Sequence, residues 1–156
     1  YYALVSTGLA WENAMDNAQS SLFGGVMGTL VNINSSAEQT HVASLLGGTA
    51  AWVGAKDLGQ DGVWRWYNGD TAGNQLWSGN ASGSLVSGSY ANWNTGEPNG
   101  GVGEYNLMFN GNGTWNDAST QGFHSVVEWL GAAYRLAQGV ASSVMENATA
   151  GTVVGT

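Results

Sequence analysis

A long stretch rich in glycine, serine, asparagine and threonine, from residue 68 to 103, separates segments whose residues favour β-strands. A loop of this length inside a compact domain is uncommon unless the loop has a function. The chain has 156 residues, of which 25 are glycine and only 9% are charged. This composition favours one loop-rich, β-containing domain over a helical bundle. The fold must therefore present a long functional loop on a small set of strands.

Five side chains that carry oxygen donors lie at the end of this stretch and just beyond it. They are Glu97, Asn99, Glu104, Asn116 and Asp117. Calcium takes six to eight oxygen ligands at about 2.3 to 2.6 Å from carboxylates, amides and backbone carbonyls, often on loops. The three carboxylates supply charge, while each amide offers a carbonyl oxygen to a metal and an NH2 group to a second ligand. The spacing therefore predicts a calcium site with donors for another ligand.

Hydrophobic spacing predicts two helices near the start of the chain. Trp11, Ala14, Met15 and Ala18 recur at the spacing of one buried helical face. A second helix is predicted after Ser35, which with a glutamate three residues later forms a capping box. Short strands are predicted at residues 1–5, 29–33, 51–54, 63–66, 106–109, 114–116 and 124–129. This order of strands and helices is typical of an α+β fold.

The pattern Glu97-Pro98-Asn99, then Glu104, then Trp115-Asn116-Asp117 resembles the sugar-binding site of mannose-type C-type lectin domains. The resemblance assigns residues 1–131 to such a domain. It implies a C-type lectin-like α+β fold with two helices, short antiparallel sheets and a long calcium-binding loop. It also implies that the five oxygen-bearing residues hold one Ca²⁺ ion, that two vicinal sugar hydroxyls complete its coordination, and that the peptide bond before Pro98 is cis.

The chain differs from the usual family pattern at its half-cystine positions. There is no cysteine in the sequence. By the resemblance, Ala18 and Val127 occupy one pair of half-cystine positions, and Asn106 and Thr120 occupy the other. The chain is thus similar to the disulfide-free lectin domains of bacterial surface proteins.

Asp57 and Asp61 lie four residues apart in a glycine-rich turn, where the family often has an auxiliary calcium site. Gly100 and Tyr105 stand at positions where the resemblance would place further acids of that site. Loss of two carboxylates weakens a calcium shell, because charge count sets the affinity. The auxiliary site is therefore expected to be absent or altered.

Aromatic residues in this sequence can either pack in the core or contact a sugar. Five tryptophans match core positions of the family and are expected to pack in the interior: Trp52, Trp64, Trp66, Trp93 and Trp115. Trp77, Tyr90 and Tyr105 lie in or next to the long loop and are candidates for the rim of a sugar site. The predicted sugar-binding set is Glu97, Asn99, Glu104, Asn116, Tyr105 and Trp77.

Charge and composition exclude several functions. The net charge is -8 with only three basic residues, Lys56, Arg65 and Arg135, so nucleic acid and anionic membranes are not expected partners. No apolar run is long enough for direct membrane insertion. Glu97 and Glu104 could serve as acid and base in glycoside cleavage, but carboxylates around a cation are held ionised. The chain is therefore predicted to be a binding protein and not an enzyme.

Residues 132–156 fall outside the lectin pattern. They are expected to form either a linker or the first strands of a following β-rich repeat, similar to the cadherin-like repeats of large bacterial adhesins, with Glu146 as an interdomain calcium ligand. The predicted function is calcium-dependent binding of mannose, fucose, glucose or N-acetylglucosamine for adhesion at the cell surface. The partners would be glycans on host, microbial or algal cells, together with neighbouring repeats of a larger adhesin. The alternative is a calcium-dependent protein-, peptide- or ice-binding module on the same fold.

Overall fold

The computed structural model describes residues 1–131, and the predicted linker or repeat at 132–156, with Glu146, lies outside these residues. Within the described part the elements are β1 (Tyr2–Leu9), α1 (Trp11–Ser20), β2 (Leu22–Phe23), β3 (Val26–Met27), β4 (Thr29–Leu30), α2 (Ser36–Leu46), β5 (Ala51–Lys56), β6 (Val63–Asn68), β7 (Thr71–Ser78), β8 (Ser84–Leu85), β9 (Asn106–Phe109), β10 (Trp115–Ala118) and β11 (Phe123–Glu128). Two helices and short strands confirm the α+β fold class.

One mixed sheet organises the domain. Its main path runs β1-β11-β5-β6-β7-β8, with β4 paired to β11 and the β9-β10 pair joined to β5. β1 and β11 are antiparallel with Tyr2 opposite Glu128, and the N–H of Trp129 donates to the carbonyl of Tyr1 at 2.9 Å. β11 and β5 are parallel. The first and last strands of the described chain therefore lie side by side, and the loops that follow β5 and β8 share one region of the molecule.

Helix α1 forms where its apolar spacing predicts. Trp11, Ala14, Met15 and Ala18 are all buried. The indole N–H of Trp11 donates to the carbonyl of Val53 at 2.8 Å, which fixes the helix against β5. Burial of these side chains stabilises a helix whose first turn has no side-chain cap.

Helix α2 begins at the predicted cap. The Ser35 hydroxyl accepts the N–H of Glu38 at 3.2 Å. The Glu38 carboxylate accepts the N–H of Asn34 at 2.8 Å, one residue earlier than the reciprocal bond of a capping box, and also accepts the Tyr2 hydroxyl at 2.6 Å. Gly47 ends the helix in the left-handed conformation, with φ of 56°. The cap thus also ties α2 to β1.

The prediction of an unbroken loop from residue 68 to 103 is wrong in part. β7 and β8 lie inside this stretch. β7 pairs with β6, with Trp64 opposite Trp77, and Leu76 is fully buried. Pairing to a strand already in the sheet outweighs the low strand preference of the glycine and the asparagine in β7. Within the predicted loop, the residues outside strands are therefore 69–70, 79–83 and 86–103.

Tryptophans fill the core below this loop. Trp52, Trp64, Trp66 and Trp115 are buried as predicted, whereas Trp93 is only half-buried. Trp93 packs edge-on against Trp64 with ring centroids 4.9 Å apart, and against Trp115 at 5.9 Å. Aromatic pairs in this arrangement add about 0.5 to 1.5 kcal/mol beyond the area they bury. The loop is therefore anchored to the core through Trp93.

The half-cystine positions of the family are filled in two different ways. Ala18 and Val127 are buried in one apolar cluster, and both contact the position where a side chain at Gly28 would lie. Asn106 is fully buried, and within residues 1–131 neither polar atom of its side chain has a hydrogen-bond partner. Thr120 is exposed. Apolar packing thus replaces one cross-link, while the other position retains a buried amide.

Candidate functional site

Backbone pairing brings the loop to strand β10. The N–H of Asn94 donates to the carbonyl of Trp115, and the N–H of Trp115 donates to the carbonyl of Asn92, both at 2.8 Å. The Asn92 side chain donates to the carbonyl of Gly113 at 2.8 Å. These three bonds lay residues 92–94 along the start of β10. The residues that follow on each side, at 97–99 and 116–117, are therefore neighbours.

Asp117 is the centre of the candidate site. It is 0% exposed, and its carboxylate accepts the N–H of Asn99 at 3.1 Å and the N–H of Gly100 at 2.7 Å. The Glu97 carboxylate also accepts the N–H of Asn99, at 2.9 Å. The peptide bond between Glu97 and Pro98 is cis, in agreement with the resemblance. Asn99 is thus held between two carboxylates.

The surroundings of Glu97 disfavour its ionised form. Burial raises the pKa of Glu97, and a hydrogen bond and charge repulsion with Asp117 raise it further, while hydrogen bonds from Asn99 act in the opposite direction. Two acids placed together in a partly desolvated site disfavour the doubly ionised state. A bound cation would offset this repulsion, so the pair fits a hard metal ion.

The two amides beside these carboxylates have different hydrogen bonds. The Asn116 side chain donates to the backbone carbonyl of Asp117 at 2.5 Å. Within residues 1–131 no hydrogen bond uses its Oδ1. The Oδ1 atom of Asn99 accepts the N–H of Gly101 at 3.1 Å. The side-chain oxygen of Asn116 therefore has no hydrogen bond within residues 1–131, while the oxygen of Asn99 is engaged within its own loop.

Glu104 lines one pocket with Asn99, but within residues 1–131 no hydrogen bond joins its side chain to the other four residues. Its N–H donates to the carbonyl of Gly101 at 2.9 Å, and its carboxylate lies against Gly101. Within residues 1–131 no three His, Cys, Asp or Glu side chains approach closely enough to hold a metal ion. Hydrogen bonds thus join Glu97, Asn99 and Asp117, and Asn116 precedes Asp117 on β10. The five residues have the oxygen donors of a calcium site, although within residues 1–131 Glu104 does not form one cluster with the other two carboxylates.

The aromatic rim candidates have packing contacts. Trp77 is half-buried, packs edge-on against Trp93 at 6.3 Å, and donates its indole N–H to the carbonyl of Asn80 at 3.2 Å. Tyr90 packs against Trp115 with centroids 5.8 Å apart, and burial raises the pKa of its hydroxyl. These contacts favour a packing role for both. Tyr105 is half-buried and follows Glu104 directly.

At the expected auxiliary site, Asp57 supports the backbone. It is 6% exposed, and its carboxylate accepts the N–H of Asp61 at 3.2 Å and the N–H of Gly62 at 2.7 Å. Asp61 accepts the N–H of Val63 at 3.1 Å. These acids cap the turn between β5 and β6. The absence or alteration of the auxiliary calcium site stays a prediction.

Two residues that the sequence did not single out, Gln60 and Asn80, line a pocket next to Asn99 and Glu104. They lie on the β5–β6 and β7–β8 connections. The only local features of the sequence at Gln60 and Asn80 are the glycines around them. These glycines predict turns, but they do not indicate that the two side chains line the same pocket.

The Lectin C-type domain family matches residues 8–127, and the chain belongs to this family. Halomucin from Haloquadratum walsbyi is 37% identical over 75% of the chain, and the match covers 1% of halomucin's length. A structure of the cow C-type carbohydrate-recognition domain of CD23, in the presence of GlcNAc2Man3 oligosaccharide, has a TM-score of 0.62 and 26% identity. The match covers 82% of this chain and 86% of the cow domain.

A calcium-independent type II antifreeze protein shares the fold, with a TM-score of 0.61, 19% identity, and coverage of 82% of this chain and 85% of the antifreeze protein. At the level of the family, the domain is a non-enzymatic, carbohydrate-binding module. Such domains are typically extracellular. Among the helices of residues 1–131, none has the length and apolar character needed to cross a membrane.

Proposed function

We propose that this domain binds one Ca²⁺ ion through Glu97, Asn99, Glu104, Asn116 and Asp117, and that it binds neutral sugars at that ion. The observation that carries the proposal is the pair formed by the half-buried Glu97 and the buried Asp117, whose carboxylates both accept the N–H of Asn99. Because both acids lie beside exposed loop backbone, a cation can reach them from solvent. Calcium when bound would supply positive charge and open coordination positions for hydroxyl oxygens.

The proposed sugar preference depends on the order of acid and amide. Glu97 precedes Asn99 along the loop, and Asn116 lies opposite on β10. Carboxylates accept hydrogen bonds from sugar hydroxyls, whereas amide NH2 groups donate to them. The Glu-Pro-Asn order favours sugars with equatorial vicinal hydroxyls, such as mannose, glucose, N-acetylglucosamine, or fucose through an equivalent pair. The cow domain crystallised in the presence of GlcNAc2Man3 supports a mannose-type ligand.

The biological role that we propose is adhesion at a cell surface, through glycans of host, microbial or algal cells. The chain matches only 1% of halomucin, which supports the idea of a lectin module within a much larger chain. Residues 132–156 would then be a linker or the start of a neighbouring repeat. A single lectin site usually binds weakly, so repeated display would raise the overall affinity through multivalency.

A glycan array probed with and without EDTA tests this function. We expect hits among mannose-type glycans in calcium and none in EDTA. Asn116→Ala should lose the hits, because it removes a carbonyl oxygen from the site, while Asn74→Ala, an exposed amide on β7, should keep them. An absence of glycan hits would refute the proposal. Calcium-dependent binding of a protein, a peptide or ice, without glycan hits, would favour the alternative module.

A further inference from the structure

Asparagine is followed by glycine at four places in this chain, at residues 68, 99, 110 and 112. In such a pair the second residue has no side chain to hinder its backbone nitrogen, which can attack the amide carbon of the asparagine and displace ammonia. Asn110 is half-buried, and its NH2 group donates to the Thr114 hydroxyl at 3.3 Å. Asn68 is exposed, but the glycine after it is buried. Asn99 and Asn112 are both exposed, so these two are the candidates for the reaction.

The amide groups of Asn99 and Asn112 are held in the same way. Oδ1 of Asn99 accepts the N–H of Gly101 at 3.1 Å. Oδ1 of Asn112 accepts the N–H of Thr114 at 3.0 Å and the hydroxyl of the same threonine at 2.7 Å. A donor at this oxygen stabilises the negative charge that develops on it when the amide carbon is attacked. Both side chains are therefore polarised toward attack.

The glycines that follow Asn99 and Asn112 are also alike in their backbone. Gly100 has a φ of +73° and Gly113 a φ of +88°. A Cβ atom placed on either glycine would meet no other atom within 4 Å. Both positions are therefore open to water, so neither the access of solvent nor the shape of the turn separates the two pairs.

What distinguishes the two pairs is the group that accepts the glycine N–H. The N–H of Gly100 donates to the carboxylate of Asp117 at 2.7 Å. The N–H of Gly113 donates to the backbone carbonyl of Asn110 at 2.9 Å. A carboxylate can take the proton while the nitrogen attacks, whereas a peptide carbonyl is too weak a base to do so. A base therefore lies beside the attacking nitrogen at Asn99 but not at Asn112.

We propose that Asn99 is a site of spontaneous deamidation, with Asp117 as the base. The nitrogen of Gly100 bonds to Cγ of Asn99 while its proton passes to Asp117, and the bond from Cγ to Nδ2 breaks. The departing nitrogen takes up this proton and leaves as ammonia, so the chain closes into a five-membered succinimide ring. Water then opens the ring at either carbonyl, which gives aspartate or isoaspartate at position 99. One water molecule is consumed for each ammonia released.

The modification changes the chemistry of the candidate site without the action of another protein. It replaces an NH2 group, which donates hydrogen bonds, with a carboxylate oxygen, which only accepts them. Isoaspartate also adds one carbon to the backbone of the loop that lies beside β10. The inference holds whether or not the domain binds sugar. Where the site does bind sugar, the modification would alter the donors that it offers to hydroxyls.

Peptide mapping by mass spectrometry tests this inference, during incubation of the full chain at neutral pH in EDTA. Asn112 is the internal control, because it shares the exposure, the polarised amide and the open glycine of Asn99. We expect Asn99 to deamidate about tenfold faster than Asn112. This is less than the 10²-fold or more that a base contributes in an enzyme, because a backbone N–H is a weak acid. Both aspartate and isoaspartate should form at position 99.

Asp117→Asn removes the base and retains an oxygen that can accept the glycine N–H. In this variant the rate at Asn99 should fall to that at Asn112. Asp70→Asn, on an exposed turn, removes one carboxylate elsewhere and should leave the rate at Asn99 unchanged. The comparison of Asn99 with Asn112 in the wild-type chain needs no variant, so it decides the matter even if Asp117→Asn does not fold.

A rate at Asn99 equal to or below that at Asn112 would overturn the inference. So would a rate that Asp117→Asn leaves unchanged, or the formation of aspartate alone, which would mean that water attacks the amide directly. A parallel incubation in calcium separates this inference from the proposed function. Calcium at the proposed site would engage the oxygens of Asp117 and Asn99, so it should slow the reaction at Asn99 only. A tenfold faster reaction at Asn99 that calcium does not slow would support the modification and contradict the calcium site.

Discussion

Glu128, at the end of β11, makes the stability of the domain depend on pH. It is 1% exposed, its Oε1 accepts the N–H of Asn32 at 2.9 Å, and its Oε2 has no partner within residues 1–131. Burial is the main cause that raises its pKa to about 7, and the charge of Glu38 adds to this. The Asn32 N–H and the N-terminal amine oppose the rise. The folded state therefore favours the protonated carboxyl.

Glu128 binds its proton more tightly in the folded chain than in the unfolded chain, so the folded state is favoured at low pH. The pKa of Glu128 is about 7 in the folded chain and takes its ordinary value of 4.5 when unfolded. Its contribution to stability is therefore fully present below pH 4.5 and is lost as the pH rises through 7. Since a difference of one pKa unit corresponds to about 1.4 kcal/mol, we expect the free energy of unfolding to fall by about 3 kcal/mol between pH 4.5 and 8.

Glu128→Gln tests this directly, because glutamine has a similar shape and no charge. We expect the variant to show a nearly flat profile and to be more stable than its parent at pH 8. The measurement is urea denaturation followed by tryptophan fluorescence, in EDTA, from pH 4.5 to 8. Because the pKa of Glu97 is also raised, both chains should carry Glu97→Gln. Asp70→Asn, on an exposed turn, is the control for loss of one carboxylate.

Two results would refute this account of Glu128. One is a parent chain whose free energy of unfolding stays constant or rises from pH 4.5 to 8. The other is a Glu128→Gln variant that is less stable than its parent at every pH, which would mean that the ionised carboxylate stabilises the fold.

Three further predictions concern the site and the missing cross-links. Asp117→Ala should lower the melting temperature in EDTA as well as in calcium, because two backbone N–H groups lose a buried acceptor at a cost of about 1–3 kcal/mol; an unchanged melting temperature in EDTA would contradict this. Ala18→Cys with Val127→Cys should form a disulfide, seen by mass spectrometry, and add about 2–4 kcal/mol to stability; failure to cross-link would show that the positions are poorly aligned. Glu97→Gln with Asn99→Asp keeps the charge but reverses acid and amide, so the array ranking should shift toward galactose; an unchanged ranking would refute the orientation argument.

The sequence predicted the helices well, since their signals are local. The i, i+3, i+4, i+7 spacing from Trp11 to Ala18 identifies the buried face of α1. Ser35 identifies the start of α2. Strand β7 was missed because its pairing partner, β6, supplies the contacts that its own glycine-rich sequence does not indicate.

The sequence predicts which residues belong to the candidate site, but it does not predict their geometry. The motif names Glu97, Asn99 and Asp117, and the structure joins them by hydrogen bonds. The direction of the Glu104 side chain depends on the turn at Gly101, and no sequence spacing determines it. The pocket formed by Gln60 and Asn80 depends on how three separate connections meet. Contacts between loops are long-range, so local patterns do not indicate them.

Calorimetric titration of Ca²⁺ into the chain, with and without saturating methyl α-mannoside, tests the central claim that one calcium site is also the sugar site. We predict one ion per chain and a higher calcium affinity when the sugar is present. This increase must equal the factor by which calcium raises the affinity for the sugar, because coupling between two ligands is reciprocal. Absence of calcium binding, two ions per chain, or a calcium affinity that the sugar leaves unchanged would contradict the claim.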